Sequence, residues 1–270
     1  MPRDYSGYKY FKVDVNKDKV ATLTINRPQV LGALTHDART ELSNVWLDFD
    51  KDEDVRVIIF TGSGRGFCAG GDFKEVNERH AKGLVTVPNL TSPMPGQYYV
   101  EKMKGLEKPI IGAINGVATG MGCVMALACD IVIAADVATF GDHHIRVGLV
   151  AGDGCCAIWP MLVGPAKAME YLLTGDLMDA QEAYRLGLVN KVVPLADLMS
   201  TAMELATRLA HGPTVAIGLT KRAINVEVRR RWFSVQDFAF TAERRSFNTE
   251  DHVEGSRAFA EKREPRFIGK

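Results

Sequence analysis

The period of the apolar positions changes along this chain and divides it in two. Residues 9–15 (KYFKVDV) and 20–26 (VATLTIN) alternate apolar and polar side chains around a turn of lysine and asparagine, the pattern of two short strands, and Asn26-Arg27-Pro28 closes the second. Leu42, Val45, Trp46 and Phe49 then recur at helical spacing behind Thr35, a suitable N-cap, and VRVIIFTG follows as a buried strand. The strand-to-helix unit recurs twice. GLEKPIIGAINGVA leads into a small-residue helix from Gly122 to Cys129, and IVIAAD with ATFG leads into a helix starting near Gly154. Strands feeding crossover helices predict an α/β fold built in layers. Residues 79–99 carry three prolines and two glycines and read as a loop able to act as a lid. Beyond Pro194 only helical patterns remain, over 195–211, 214–230, 232–248 and 250–263, with Gly212-Pro213 breaking the first junction. The expected organisation is a core over 1–194 and a helical region over 195–270, which either caps its own core or forms an oligomer interface.

Composition narrows the function classes. With 270 residues, 46% of them hydrophobic, the chain can bury a full core. Thirty-three basic and 33 acidic side chains cancel, so no global field draws nucleic acid or an anionic membrane, and any anionic ligand needs a local patch. The five cysteines are odd in number and contain no C-x-x-C pair, which argues against a disulfide framework and a metal site and fits a reducing cytoplasm. The first residues form no apolar leader, and the longest apolar runs fall far short of the roughly 20 residues a membrane span needs.

Two glycine-rich turns carry the candidate chemistry. Gly64-Arg65-Gly66-Phe67-Cys68-Ala69-Gly70-Gly71-Asp72 and Asn115-Gly116-Val117-Ala118-Thr119-Gly120-Met121-Gly122-Cys123 each follow a strand and precede a helical stretch. Such turns bring backbone N–H groups close to a ligand, and a helix N-terminus adds free donors and positive potential. Two donors aimed at one oxygen make an oxyanion hole. A tight structural turn is the other reading of either one. Cys68 and Cys123, inside the turns, read as small buried packing residues.

Taken together, these segments resemble one family. Asn26-Arg27-Pro28 with Ala33-Leu34, FCAGGD, NGVATGMGC followed by CDIVIAA, ATFG, LLTGDLMDAQEAYRLGLVNKVVP and AFAEKREPRF span the chain in the order seen in the crotonase (enoyl-CoA hydratase/isomerase) superfamily. The resemblance implies a spiral of ββα units, a C-terminal helical trimerisation region, and a homotrimer or a hexamer of two trimers. It implies oxyanion donors at the N–H groups of Gly71 and Met121, and an acyl-CoA substrate without a permanently bound cofactor. Coenzyme contacts then fall to Gln29, Leu31, Ala69 and Asp72, and, across a subunit boundary, to Phe259 and Lys262. Gln29 stands where the family commonly has a basic residue.

The acid–base positions depart from the hydratases. The two glutamates that activate water and protonate the α-carbon correspond here to Val124 and His144, and valine transfers no proton. Residues 143–160, HHIRVGLVAGDGCCAIWP, resemble the matching stretch of 6-oxocamphor hydrolase, a crotonase-fold enzyme that cleaves a carbon–carbon bond in a cyclic β-diketone. By that resemblance His144 is the base and Asp153 its orienting partner, brought back to it by breaks at Gly148 and Gly152. The bland alternatives are a surface histidine beside His143 and Asp142, and a turn or N-cap aspartate before the helix at Gly154. Glu243, on a late helix, has two readings: a group that reaches the site of its own or a neighbouring subunit, and, favoured by the pattern, part of a solvated helix face. The sequence therefore leaves three functions open: an acyl-CoA hydratase or isomerase with His144 and Asp153 in place of the glutamates, a carbon–carbon hydrolase, and a scaffold or RNA-binding member that has lost chemistry.

Overall fold

The computed structural model describes residues 3–72, 74, 75, 78 and 99–270. Strands β1 (Phe11–Val15) and β2 (Val20–Ile25) form the expected antiparallel hairpin, and helix α1 (His36–Lys51) follows. Thr35 caps α1, its side chain accepting from the Ala38 N–H, a cap worth about 1 kcal/mol. The apolar face of α1 buries Leu42, Val45, Trp46 and Phe49, and Trp46 meets Phe60 edge-on at 5.4 Å. Side chains of this size contribute roughly 1.5–3 kcal/mol each on full burial.

Three successive turns of chain then repeat one plan. Each gives a longer strand to one sheet and a short strand to another before a helix: β3 (Val57–Gly62) and β4 (Gly66–Cys68), β5 (Ile110–Ile114) and β6 (Val117–Thr119), β7 (Ile131–Ala135) and β8 (Thr139–Gly141). Their helices are α2 (Tyr99–Gly105), α3 (Met121–Ala128) and α4 (Cys155–Thr174). Then come β9 (Met178–Asp179), α5 (Ala180–Arg185) and β10 (Lys191–Val193). The six-stranded sheet runs β1-β2-β3-β5-β7-β10 and the four-stranded sheet β4-β6-β8-β9. From β2 to β10 all pairs of the larger sheet are parallel. This is the spiral of ββα units expected from the resemblance. The segment 79–98, expected as a loop, lies outside the described residues.

Parallel strands covered on both faces must be apolar on both, which explains runs such as VIIF. One face packs on α1 and the site helices. The other, with Val20, Val57, Ile59, Ile111 and Ile133, packs on Ala202, Ala206 and Ala210 of α6 (Leu198–Ala210). The helical tail differs from the sequence expectation in one respect. In place of separate helices over 214–230 and 232–248, a single helix, α7, runs Thr214–Ser246, followed by α8 (Glu250–Glu261). No glycine or proline interrupts 231, and Glu227 clamps the expected break by pairing with Arg230 and Arg231, both at 2.8 Å.

Candidate active site

The two glycine-rich turns touch. A Cβ on Gly122 would lie 1.9 Å from the carbonyl oxygen of Cys68, so only glycine allows the second turn to approach the first this closely. The bridge between Leu34 and Gly71 is closed by the N–H groups of Leu34 (to Gly70 O, 2.8 Å) and Asp72 (to Leu34 O, 3.1 Å). The Gly71 N–H is thereby left outside the pairing. Met121 is the first residue of α3, where an N–H has no intrahelical carbonyl to bond, and Gly120 before it takes φ 53°. Both expected oxyanion donors therefore lie at the meeting of the two turns, with N–H groups that bond no carbonyl among the described residues.

The acid–base cluster faces the second turn. His144 opens a short 3-10 turn, His144–Val147, ended by left-handed Gly148, and the chain then doubles back so that the Leu149 N–H reaches the His144 carbonyl at 2.9 Å. This fold-back, which Gly148 and Gly152 permit, brings Asp153 beside His144. A Cβ on Gly120 would lie 3.2 Å from His144 Cε1 and 3.8 Å from Asp153 Oδ2, placing both next to Met121.

The partnership, however, is not the one read from the sequence. The carboxylate bonded to the imidazole is Asp142, whose Oδ1 lies 2.5 Å from Nδ1 and also accepts the His144 backbone N–H at 2.8 Å. Two residues of spacing let one carboxylate make both contacts. Asp153 stands on the other side of the ring, its Oδ2 3.8 Å from Nε2, too far for a hydrogen bond. Glu243 of α7, for which a solvated face was the favoured reading and a reach into the site the other, is 5% exposed, with Oε1 also 3.8 Å from Nε2. A helix spanning 33 residues reaches back over the core, and the local pattern around Glu243 does not decide between its two readings. Gln236, two turns earlier on α7, donates to the Gly152 carbonyl at 2.6 Å and docks that helix on the site loop.

The electrostatics assign different protonation states to the groups. Burial alone would lower the His144 pKa, but the charges of Asp142 and Asp153, the hydrogen bond to Asp142 and the charge of Glu243 hold it well above 6.5. Those charges favour the protonated ring, which makes the carboxyl groups beside it candidate bases alongside His144. Asp142, despite its burial, is held below 3.8 by His144. Burial raises Asp153 to about 6, against the opposing charge of His144. Burial raises Glu243 further, to about 8, again opposed by His144. The two carboxyl groups, each 3.8 Å from Nε2, thus titrate on opposite sides of neutrality. His143 stays outside this arrangement, its pKa lowered chiefly by burial.

Asp142, Asp153 and Cys155 bring three potential ligand atoms within 4.8 Å, but Asp142 is committed to His144 and burial pushes the Cys155 thiol far up. Cys68 is likewise buried, its thiol raised to about 12, in keeping with packing. One further charge was not anticipated. Arg39, in the first turn of α1, lays its guanidinium across Gly71, with Nη2 2.7 Å from where a Cβ would stand.

The expected coenzyme residues form two groups. Gln29, in the exposed turn Pro28–Val30, adjoins Leu31, whose carbonyl accepts the Ala69 N–H at 2.9 Å; Asp72 closes the group through a 3.0 Å ion pair with Arg27. Phe259 and Lys262 lie at the end of α8, where Phe259 lines a separate cavity of about 730 Å³ with Arg146, Leu149 and Arg263. None of the first group lines that cavity.

The comparisons with known proteins agree with this architecture. The family model described as enoyl-CoA hydratase/isomerase matches residues 16–270. A probable enoyl-CoA hydratase of Mycobacterium bovis is 38% identical over 263 residues, covering 96% of this chain and 98% of that protein. A 1,2-epoxyphenylacetyl-CoA isomerase of Escherichia coli is 36% identical, covering 93% and 95%. The crystal structure of an enoyl-CoA hydratase/isomerase from Mycobacterium paratuberculosis superposes with a TM-score of 0.85 at 33% identity, covering 94% of this chain and 99% of that one. The chain belongs to the enoyl-CoA hydratase/isomerase family.

Proposed function

We propose that this enzyme acts on an acyl-CoA thioester whose carbonyl oxygen lies between the N–H groups of Gly71 and Met121, with proton transfer by the carboxyl groups around His144. The observation that carries this reading is the approach of His144 Cε1 to Gly120, 3.2 Å from its Cβ position, which sets the acid–base cluster against the oxyanion turn. Relatives named for enoyl-CoA and epoxyphenylacetyl-CoA substrates support the thioester. In hydration, Asp153 takes a proton from water as its oxygen attacks the β-carbon, the electron pair moves onto the thioester oxygen, and Glu243 returns a proton to the α-carbon. Two carboxyl groups poised on opposite sides of neutrality restore the acid and base that Val124 and His144 do not supply. His144, clamped by Asp142, holds both in place and favours the ionised form of Asp153.

On this reading Gln29, Leu31, Ala69 and Asp72 border the coenzyme, and Phe259 and Lys262 reach it from a second copy in a homotrimer or hexamer. The exposed apolar side chains of α7, among them Val215, Ile224, Val226 and Phe238, support such an assembly. Sedimentation at micromolar concentration tests it. The thioester reading is tested by thermal stabilisation: crotonyl-CoA at 100 times its Kd would add about 2.7 kcal/mol of stability, and no shift with any CoA ester would remove it. A second reading, hydrolytic carbon–carbon cleavage of a β-diketone, is favoured by the sequence of residues 143–160 and by a carboxylate beside an imidazolium. Turnover of cyclic diketones, lost in Asp153→Asn, would select it.

A further inference from the structure

Arg39 is a cation in the site for which the reaction above has no use. Its position follows from the local chain. Leu34 is bridged to Gly71, Thr35 caps α1, and the Arg39 N–H bonds the Thr35 carbonyl at 3.0 Å, so the first turn of α1 is fixed over the Gly64–Asp72 turn. From there the guanidinium reaches across Gly71, and its Nε is buried without a hydrogen bond among the described residues. No described carboxylate lies within ion-pair distance of it, although Arg3, Arg27, Arg146 and Arg185 all have such partners. The three site carboxyl groups stand around His144. Arg39 is nonetheless close enough to oppose, with its charge, the burial that raises Asp153 and Glu243. It therefore stands beside the oxyanion donor at Gly71 and within electrostatic reach of the acid–base cluster, a place from which it can meet the acyl group of a bound thioester.

We infer that Arg39 selects the acyl group, taking thioesters whose acyl chain carries a carboxylate. An arginine presents a planar fork of donors matched to two carboxylate oxygens. An apolar chain at the same place would strip water from the guanidinium and return no hydrogen bond, which disfavours unsubstituted fatty acyl groups. The carboxylate also supplies the charge partner that Arg39 lacks among the described residues. This inference rests on the thioester reading, and its test separates the two.

The test is calorimetric binding of two matched series to the full-length enzyme: malonyl-, succinyl- and glutaryl-CoA against propionyl-, butyryl- and pentanoyl-CoA. The wild-type protein is expected to bind at least one carboxylated ester about tenfold or more tighter than its plain counterpart. Arg39→Gln and Arg39→Leu, each checked for an unchanged circular dichroism spectrum, are expected to abolish that preference while retaining affinity for the plain ester. Arg39→Lys would keep part of it. Equal binding within all three pairs, or an equal loss on both series in the variants, overturns the inference and leaves the thioester reading standing; the second result would assign Arg39 to the oxygen common to all the esters. Failure of the wild-type protein to bind any of the six overturns both.

Discussion

His144 is bonded to Asp142 through Nδ1 at 2.5 Å while its Nε2 stands 3.8 Å from oxygens of both Asp153 and Glu243. One ring thus joins three carboxyl groups, and the bond to Asp142 fixes its orientation. Asp142→Asn removes the charge that holds the imidazolium and leaves its shape. kcat is expected to fall by about 100-fold or more with KM nearly unchanged, because Asp142 orients the ring and does not meet substrate. The same variant should move the His144 titration toward its ordinary value in an NMR pH series. An unshifted titration would remove Asp142 from the role.

The raised carboxyl groups predict the pH dependence. In free enzyme Asp153, near 6, must be ionised and Glu243, near 8, must be protonated, so kcat/KM should rise through the first value and fall through the second. The two limbs are macroscopic properties of a coupled cluster, and the variants separate them. Glu243→Gln should flatten the basic limb and lower the rate, and Asp153→Asn should abolish turnover. A single sigmoid in the wild-type enzyme would contradict the assignment of acid and base.

The oxyanion donor at Met121 belongs to the backbone, so the side chain and the N–H can be tested apart. Met121→Ala keeps the donor and is expected to cost less than about tenfold in kcat, since the side chain only fills space beside the substrate. Met121→Pro deletes the donor at the first position of α3, a position that tolerates proline, and is expected to lower kcat by roughly 100- to 1000-fold. Similar rates for the two variants would place the oxyanion elsewhere.

Much of this arrangement was legible in the chain. Alternation marked β1 and β2, Thr35 marked the start of α1, and the glycines at 120 and 122 marked the turn that must meet the first glycine-rich segment. Gly148 and Gly152 allowed a fold-back of Asp153 toward His144 without requiring it. What stayed hidden was tertiary. Glu243 lies on a helix whose local pattern is mostly polar, and its burial depends on where a 33-residue rod lands. Asp142 was read only as a neighbour, because spacing alone cannot tell which of two nearby aspartates the imidazole turns to. Arg39 sits in a helical stretch chosen for its apolar face, and its reach over Gly71 becomes visible only once Leu34 is seen bridged to that turn.

Glu243 should also set how stability responds to pH. Burial raises its folded pKa to about 8 from 4.5, so between those values the folded protein holds a proton that the unfolded chain has released. Stability then falls as pH rises across that window. Asp153 acts in the same sense between 3.8 and about 6. His144, raised above 6.5, contributes stability that is fully present below that value and lost as pH rises through its folded pKa. Asp142 is the opposite case: its lowered pKa contributes stability above 3.8 that is lost as pH falls through the folded value. From pH 5.5 to 8 the native enzyme should therefore lose thermal stability, with Glu243 a main source. Glutamine in its place keeps the shape and cannot ionise, so Glu243→Gln should show a shallower decline. The pH interval carries about 3 kcal/mol of this linkage, so at about 2–4 °C per kcal/mol the variant should gain on the wild type by roughly 6–12 °C in Tm between the two pH values. Melting curves of both proteins at half-unit steps check this, and parallel declines would mean that Glu243 does not carry its proton in the folded state.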